Sequence, residues 1–122
     1  MRDSISAALL SGPVAQSDGA LLFEFKFAAS AEVFSGHFPG YPLLPGIFQI
    51  EMARMASERA LGCRLTLNEI VKAKFLRPVL PEEIIRLSLK LTEEKSIINV
   101  RAGLAAGGQP AGETRLRLCR NE

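Results

Sequence analysis

The chain has 122 residues, 48% of them hydrophobic, 23% charged and 7% aromatic, and fifteen Lys and Arg against thirteen Asp and Glu leave a formal charge of +2. That length predicts one domain over residues 1–122 with one core, the apolar fraction excludes intrinsic disorder, and so small a charge argues against nucleic acid, whose binders concentrate basic residues in a stripe. No apolar run approaches the roughly 20 residues of a transmembrane helix, and Met1-Arg2-Asp3-Ser4 does not open a secretory signal, so a cytoplasmic location is expected.

A short helix is predicted over residues 4–10, with a break at Gly12-Pro13. Phe23, Phe25 and Phe27 then alternate with Glu24 and Lys26, the period-two pattern of a half-buried strand. Residues 34–45 follow with three prolines and two glycines. Proline fixes φ and withdraws a donor, so this stretch is neither a regular helix nor an inner strand but a stiff loop of specific shape. Pro45 suits the first turn of a helix running from Gly46 to about Leu61, with Gly62 as its C-terminal stop. Ile47, Phe48, Ile50, Met52, Ala53, Met55, Ala56 and Ala60 cover most of that helix's circumference, leaving Glu51, Arg54 and Glu58 as one polar stripe. A helix so apolar belongs in the core.

The second half reads as strands: residues 65–75; then Ile85, Leu87, Leu89 and Leu91 in alternation; Ile98, Val100, Ala102 and Leu104; a turn at 107–110; and a last strand through Leu116 and Leu118. Strand, buried helix and successive strands give an α+β fold. One antiparallel sheet wrapped around one long central helix, the hot-dog architecture, buries both apolar surfaces with the least open edge.

The only histidine, His37, lies in the stiff loop, and Glu51 follows fourteen residues later on the predicted helix. An imidazole and a carboxylate so placed can work as an acid–base pair. Gly46 supplies a backbone N–H at the helix N-terminus, where donors lack intrahelical acceptors and negative charge is favoured. A base, an acid and an oxyanion donor are what elimination next to a carbonyl requires. The same residues also have plain structural uses: a loop histidine of no catalytic role, Glu51 paired with Arg54, Gly46 as a helix start. Cys63 and Cys119 are read as free, partly buried thiols, and one histidine with two cysteines makes a zinc site unexpected.

The stretch from Phe34 to Glu51 resembles the signature of the β-hydroxyacyl-acyl-carrier-protein dehydratases (FabA/FabZ type) of fatty acid synthesis, a loop G-H-F-P-G-x-P-x-x-P-G followed by a helix with an acid at this spacing. It stands here as Gly36-His37-Phe38-Pro39-Gly40, Pro42, Pro45-Gly46 and Glu51. A second stretch, Lys72-Ala73-Lys74-Phe75-Leu76-Arg77-Pro78-Val79-Leu80-Pro81, is similar to that family's strand and R-P-V-x-P-G turn. The resemblance implies that His37 takes the C2 proton of a (3R)-hydroxyacyl thioester, that Glu51 protonates or orients the C3 hydroxyl, and that the Gly46 N–H polarises the thioester carbonyl. It also implies that the Leu43 carbonyl fixes the His37 tautomer, that Phe38, Pro39, Gly40, Phe48 and Leu76 border the substrate, and that no metal or organic cofactor is needed. The implied partners are an acyl carrier protein, which presents the acyl group on phosphopantetheine, and a second copy of the chain, since the histidine and acid of one site come from different subunits.

Three positions depart from the family pattern: Arg54 replaces a small residue, Met55 replaces an amide, and Glu82 replaces the turn glycine. They suggest a divergent branch serving a polyketide or polyene pathway. An arginine paired with Glu51 would depress that carboxyl's pKa and make it a poor proton donor. Two other functions therefore stand beside the dehydratase: a non-catalytic partner subunit or acyl-binding module, and a hot-dog thioesterase. Lys72, Lys74 and Arg77, with Arg86, Arg115, Arg117 and Arg120, either dock the carrier or simply solubilise the outer faces of strands.

Overall fold

The computed structural model describes residues 1–34 and 44–121; His37, Phe38, Pro39, Gly40 and Leu43 lie outside the described residues. In chain order the elements are α1 (Arg2–Ala8), β1 (Leu9–Ala15), β2 (Leu21–Phe25), a 3-10 turn (Glu32–Phe34), α2 (Gly46–Leu61), β3 (Leu65–Phe75), β4 (Ile85–Glu94), β5 (Ile97–Ala106) and β6 (Gln109–Arg120). The six strands form one sheet in the order β1-β2-β4-β5-β6-β3, antiparallel throughout. This is the hot-dog fold.

The period-two alternation of β4 and β5 sends Leu87, Leu89, Ile98, Val100, Ala102 and Leu104 to the inner face, joined by Leu116 and Leu118 from β6. Against them lie Met52, Ala53 and Ala56 of α2, all buried. Ser57, in the middle of that apolar contact, returns its hydroxyl to the Ala53 carbonyl at 2.8 Å and so leaves no polar group unsatisfied. Gly62 ends α2 in the left-handed conformation at φ 69°, where glycine meets no Cβ penalty. Pro45 stands one position before the helix, extended as its N-cap, rather than inside the first turn.

The N-terminal region differs from expectation. The helix ends at Ala8, and a seven-residue strand, β1, follows where a break was expected at Gly12-Pro13. Proline is tolerated there because β1 is an edge strand with one neighbour, and its register against β2 shifts on both sides of Ser11. Gly12 at φ 119° is required at this bulge, since a Cβ would stand 2.7 Å from the Phe23 ring. The turn between β5 and β6 is also tighter than expected, taken by Gly107 and Gly108 alone, with Gln109 already in β6.

Between β3 and β4, Arg77 acts as an internal brace. Its guanidinium donates to the Ala106 carbonyl at 2.5 Å and to Glu83 Oε2 at 2.9 Å, while Glu83 Oε1 accepts the Leu80 N–H at 2.7 Å.

Candidate active site

Both sides of the Gly- and Pro-rich stretch are anchored. Phe27 receives Phe34 edge-on at 6.4 Å and Phe48 edge-on at 6.5 Å, a geometry that matches positive ring edge to negative ring face. Leu44 is buried, and its N–H donates to the Val79 carbonyl at 2.9 Å. Gly46 then opens α2. A Cβ at Gly46 would lie 2.7 Å from the Phe75 ring, so the missing side chain lets an aromatic from the end of β3 lie over the first turn. The Phe48 N–H turns back to the Pro45 carbonyl at 3.0 Å, whereas the N–H of Gly46, the first residue of the helix, has no acceptor within it. Of the expected substrate-bordering residues, Phe48 is half-buried against Phe27, and Leu76, 47% exposed, borders an open concavity on the outer face of the sheet.

Glu51 is half-buried and lines an open hollow between α2 and the start of β3, together with Arg54, Glu58 and Leu65. Both its carboxylate oxygens are taken by Arg54, through Nε at 3.0 Å and through a second, shorter bond from Nη2. Arg54 in turn donates to the Leu65 carbonyl at 2.9 Å and approaches Glu58 Oε2 at 3.5 Å. Glu58 is buried and tied to three elements: Arg2 of α1 at 2.6 Å, the Leu65 N–H of β3 at 2.9 Å, and Arg54. Burial alone would raise the Glu58 carboxyl, but the Arg2 hydrogen bond, the Leu65 N–H and the charges of Arg2 and Arg54 outweigh it and hold it below the usual carboxylate range. Burial likewise pulls Arg54 below the usual arginine value, against the opposing charge of Glu58. The polar stripe of the sequence is therefore a four-residue ion-pair chain, Glu51–Arg54–Glu58–Arg2, and its fourth member comes from the far end of the chain.

Sequence reasoning missed Gln49 and Thr114. Both are buried, and neither Gln49 Oε1 nor Thr114 Oγ1 has a partner among the described residues. Gln49, one turn after Gly46, rests its amide oxygen in the space that a Cβ on Gly112 would fill. An amide within the predicted all-apolar surface of α2 was the available signal. Most of the basic residues considered for carrier docking are spoken for: Lys72 by Glu113, Arg86 by Glu24, Arg117 by Glu69, Arg120 by Glu93, and Arg77 by its brace. Among the described residues no group of three or more His, Cys, Asp or Glu could hold a metal ion, and no helix is long and apolar enough to cross a membrane.

Six antiparallel strands wrapped over one long buried helix define a hot-dog protein. More narrowly, the model of the ApeI-like family, described as ApeI dehydratase, matches residues 14–109, and the chain belongs to that family. It is 34% identical over 96 residues to the 3-hydroxyacyl-acyl-carrier-protein dehydratase FabZ of Clostridium botulinum (strain Kyoto / Type A2), a match covering 72% of this chain and 67% of the relative. With the FabZ of Clostridium acetobutylicum it shares 28% over 93 residues, covering 70% of this chain and 66% of the relative. The chain thus spans about two thirds of the length of these relatives. Among solved structures it is similar to the dehydratase heterocomplex ApeI:P from Xenorhabdus doucetiae, with a TM-score of 0.71, 25% identity, and 90% of this chain and 100% of that one covered. A coenzyme A-bound thioesterase from Thermus thermophilus, at 13% identity and a TM-score of 0.63 over 81% of this chain and 78% of its own, shares the fold alone.

Proposed function

We propose that this chain, as a homodimer, eliminates water from a (3R)-hydroxyacyl thioester carried on the phosphopantetheine of an acyl carrier protein, giving the trans-2-enoyl thioester. The observation that carries this reading is the unbroken series Gly36-His37-Phe38-Pro39-Gly40, Pro42, Pro45-Gly46 and Glu51 within the stretch that matches the dehydratase family. His37 takes the C2 proton, its tautomer fixed by the Leu43 carbonyl. The C2–H electron pair becomes the C2=C3 double bond and the C3–O bond breaks. The Gly46 N–H donates to the thioester oxygen as charge gathers there. A carboxylate has about four lone-pair positions, so a Glu51 engaged twice by Arg54 still has positions for the 3-hydroxyl proton and orients the leaving group. The proton collected by His37 departs with that hydroxyl as water. The thioester already acidifies C2, so the scheme calls for no metal or organic cofactor. Phe38, Pro39, Gly40, Phe48 and Leu76 border the acyl chain in this scheme.

Support for the homodimer comes from β3. Among the described strands it pairs only with β6, and Ile70, Val71 and Phe75 on it are exposed; an open apolar edge is a template for a second strand. In such a pair the His37 of one subunit meets the Glu51 of the other. The test is conversion of a 3-hydroxyacyl carrier thioester, followed by the ultraviolet absorbance of the conjugated product. His37→Ala abolishes it; undiminished turnover by that variant removes the proposal.

The clasp of Arg54 on Glu51 favours a second reading, a partner subunit that is silent alone and completes the site of a related chain. Purified protein that binds acyl carrier but eliminates water only after a second subunit is added supports it, and a fully active homodimer excludes it. A thioesterase would instead release free thiol from a saturated acyl thioester, which the elimination cannot produce.

A further inference from the structure

We infer that the outer face of the sheet, opposite α2, holds a binding site for a small molecule carrying a phosphate monoester or diphosphate group. The inference does not rest on the elimination proposed above, although Leu76, assigned there to the acyl chain, also lines this concavity. The sheet register sets Lys90 of β4 opposite Arg101 of β5, Arg101 opposite Arg115 of β6, and Arg115 opposite Lys72 of β3. Four cations thus stand in one row across four neighbouring strands, spaced about 4.8 Å apart. Like charges directly opposite one another destabilise a sheet, so pairing strength gives no reason for the row. Its ends are neutralised, Lys72 by Glu113 at 3.0 Å and Lys90 by Asp18 at 3.9 Å. Among the described residues the two central arginines, Arg101 and Arg115, have neither a hydrogen bond nor an ion pair.

Three members of the row, Lys90, Arg101 and Arg115, border an open concavity of about 820 Å³ whose lining includes the small residues Ser88, Gly103 and Ala105. Arg86 stands on its rim, already paired with Glu24 at 3.4 Å. Gly103 sits inside β5 one residue before the register irregularity at Leu104/Ala105; strand glycines occur at such irregularities and where a ligand or another backbone approaches closely. Crowding does not explain it: a Cβ there would meet nothing within 4 Å, and its φ is not in the left-handed region. The glycine keeps the hollow open, and no part of the described chain fills the space. Guanidinium forks suit phosphate oxygens, which they grip two at a time. Asp18 and Glu113 also line the concavity, each paired with a lysine, and the charge of Arg115 reaches Glu113. Arg101 and Arg115, which make no ion pair among the described residues, are the cations left to match the negative charge of a phosphate monoester. A hollow lined in part by small residues fits a compact ligand better than a membrane or another protein.

Calorimetric titration of the whole protein with inorganic pyrophosphate, at fixed ionic strength, tests the site. Saturable one-to-one binding is expected, weakened at least tenfold in Arg101→Gln and in Arg115→Gln. Gly103→Val should abolish it while leaving the circular dichroism and melting temperature intact, since a β-branched residue suits a strand. Heats no greater than those of chloride at equal ionic strength would overturn the inference, as would equal affinity in the three variants. Binding to phosphatidylglycerol vesicles that depends on the two arginines but is not displaced by pyrophosphate would assign the face to a membrane and overturn it too.

Discussion

Glu51 and Glu58 stand seven residues apart on the same side of α2 and share one arginine, yet their surroundings differ. Glu58 binds α1 through Arg2, β3 through the Leu65 N–H, and its own helix through Arg54. Among the described residues Glu51 is held by Arg54, within its own helix. The contrast separates two uses of a half-hidden carboxylate. One tied to three elements is part of the scaffold, because losing it uncouples them. One tied only to a neighbour on its own helix can exchange that neighbour for a substrate hydroxyl without moving the fold.

The largest expected effect is a crossing of phenotypes. Glu51→Gln should lower turnover by about a hundredfold or more, the scale of general acid–base groups, and leave thermal unfolding nearly unchanged. Glu58→Ala should do the reverse. Removing the one buried member of this partly exposed ion-pair chain leaves Arg2, Arg54 and the Leu65 N–H without their acceptor and costs about 2 kcal/mol, while activity per folded molecule stays within a few-fold. Urea unfolding and the enoyl assay on both variants check this; a Glu51 variant that unfolds early at full activity would make both carboxylates structural.

Arg54→Met sharpens the contrast, because Arg54 serves both acids. It should lose about 1–2 kcal/mol, since the Leu65 carbonyl and Glu58 each give up a donor. Turnover should fall about tenfold if Arg54 holds Glu51 in its orienting position. A rise in turnover would mean that the clasp suppresses the site, as the partner-subunit reading requires.

A smaller effect is set by pH. The Glu58 carboxyl is held below its ordinary value in the folded chain. Its stabilising contribution is therefore complete above the unfolded value of about 4.3 and is lost as pH falls through the lower folded value. The stability gap between wild type and Glu58→Gln should narrow from pH 7 to pH 3, measured by urea unfolding at each; a constant gap would show that the ion pairs do not hold that charge.

Where the local pattern and the tertiary environment agreed, the sequence was legible. Helix α2 runs from Gly46 to Leu61, as its helix formers and the stop at Gly62 predict, and β3 from Leu65 to Phe75, as its β-branched and apolar residues ahead of Arg77-Pro78 predict. Strand β1 was hidden because Gly12 and Pro13 break inner strands and yet are accommodated at a bulged edge. The pairing of Glu51 with Arg54 is readable from a spacing of three on a helix. The arrival of Arg2 at Glu58, across 56 positions, is not, because only the packing of α1 on α2 creates it. Nor is the row of Lys90, Arg101, Arg115 and Lys72 visible before the register of four strands is known.

The smallest effect concerns the other end of α2, where Gly46 and Phe75 meet. In Gly46→Ala two terms oppose. Alanine improves on glycine by up to about 1 kcal/mol in a helix interior, and by less in a first turn. Against this, the new Cβ would lie 2.7 Å from a ring that must move, although Phe75 is 49% exposed and can swing outward at modest cost. Stability should therefore change by no more than about 0.5 kcal/mol, the range of an ordinary surface substitution. Turnover should fall severalfold all the same, because the methyl group and the displaced ring crowd the first-turn N–H assigned to the thioester oxygen. Paired melting curves and kcat measurements decide it. If kcat is unchanged while Phe75 moves, Gly46 is there for packing alone, and the oxyanion donor must be sought in another N–H of that turn.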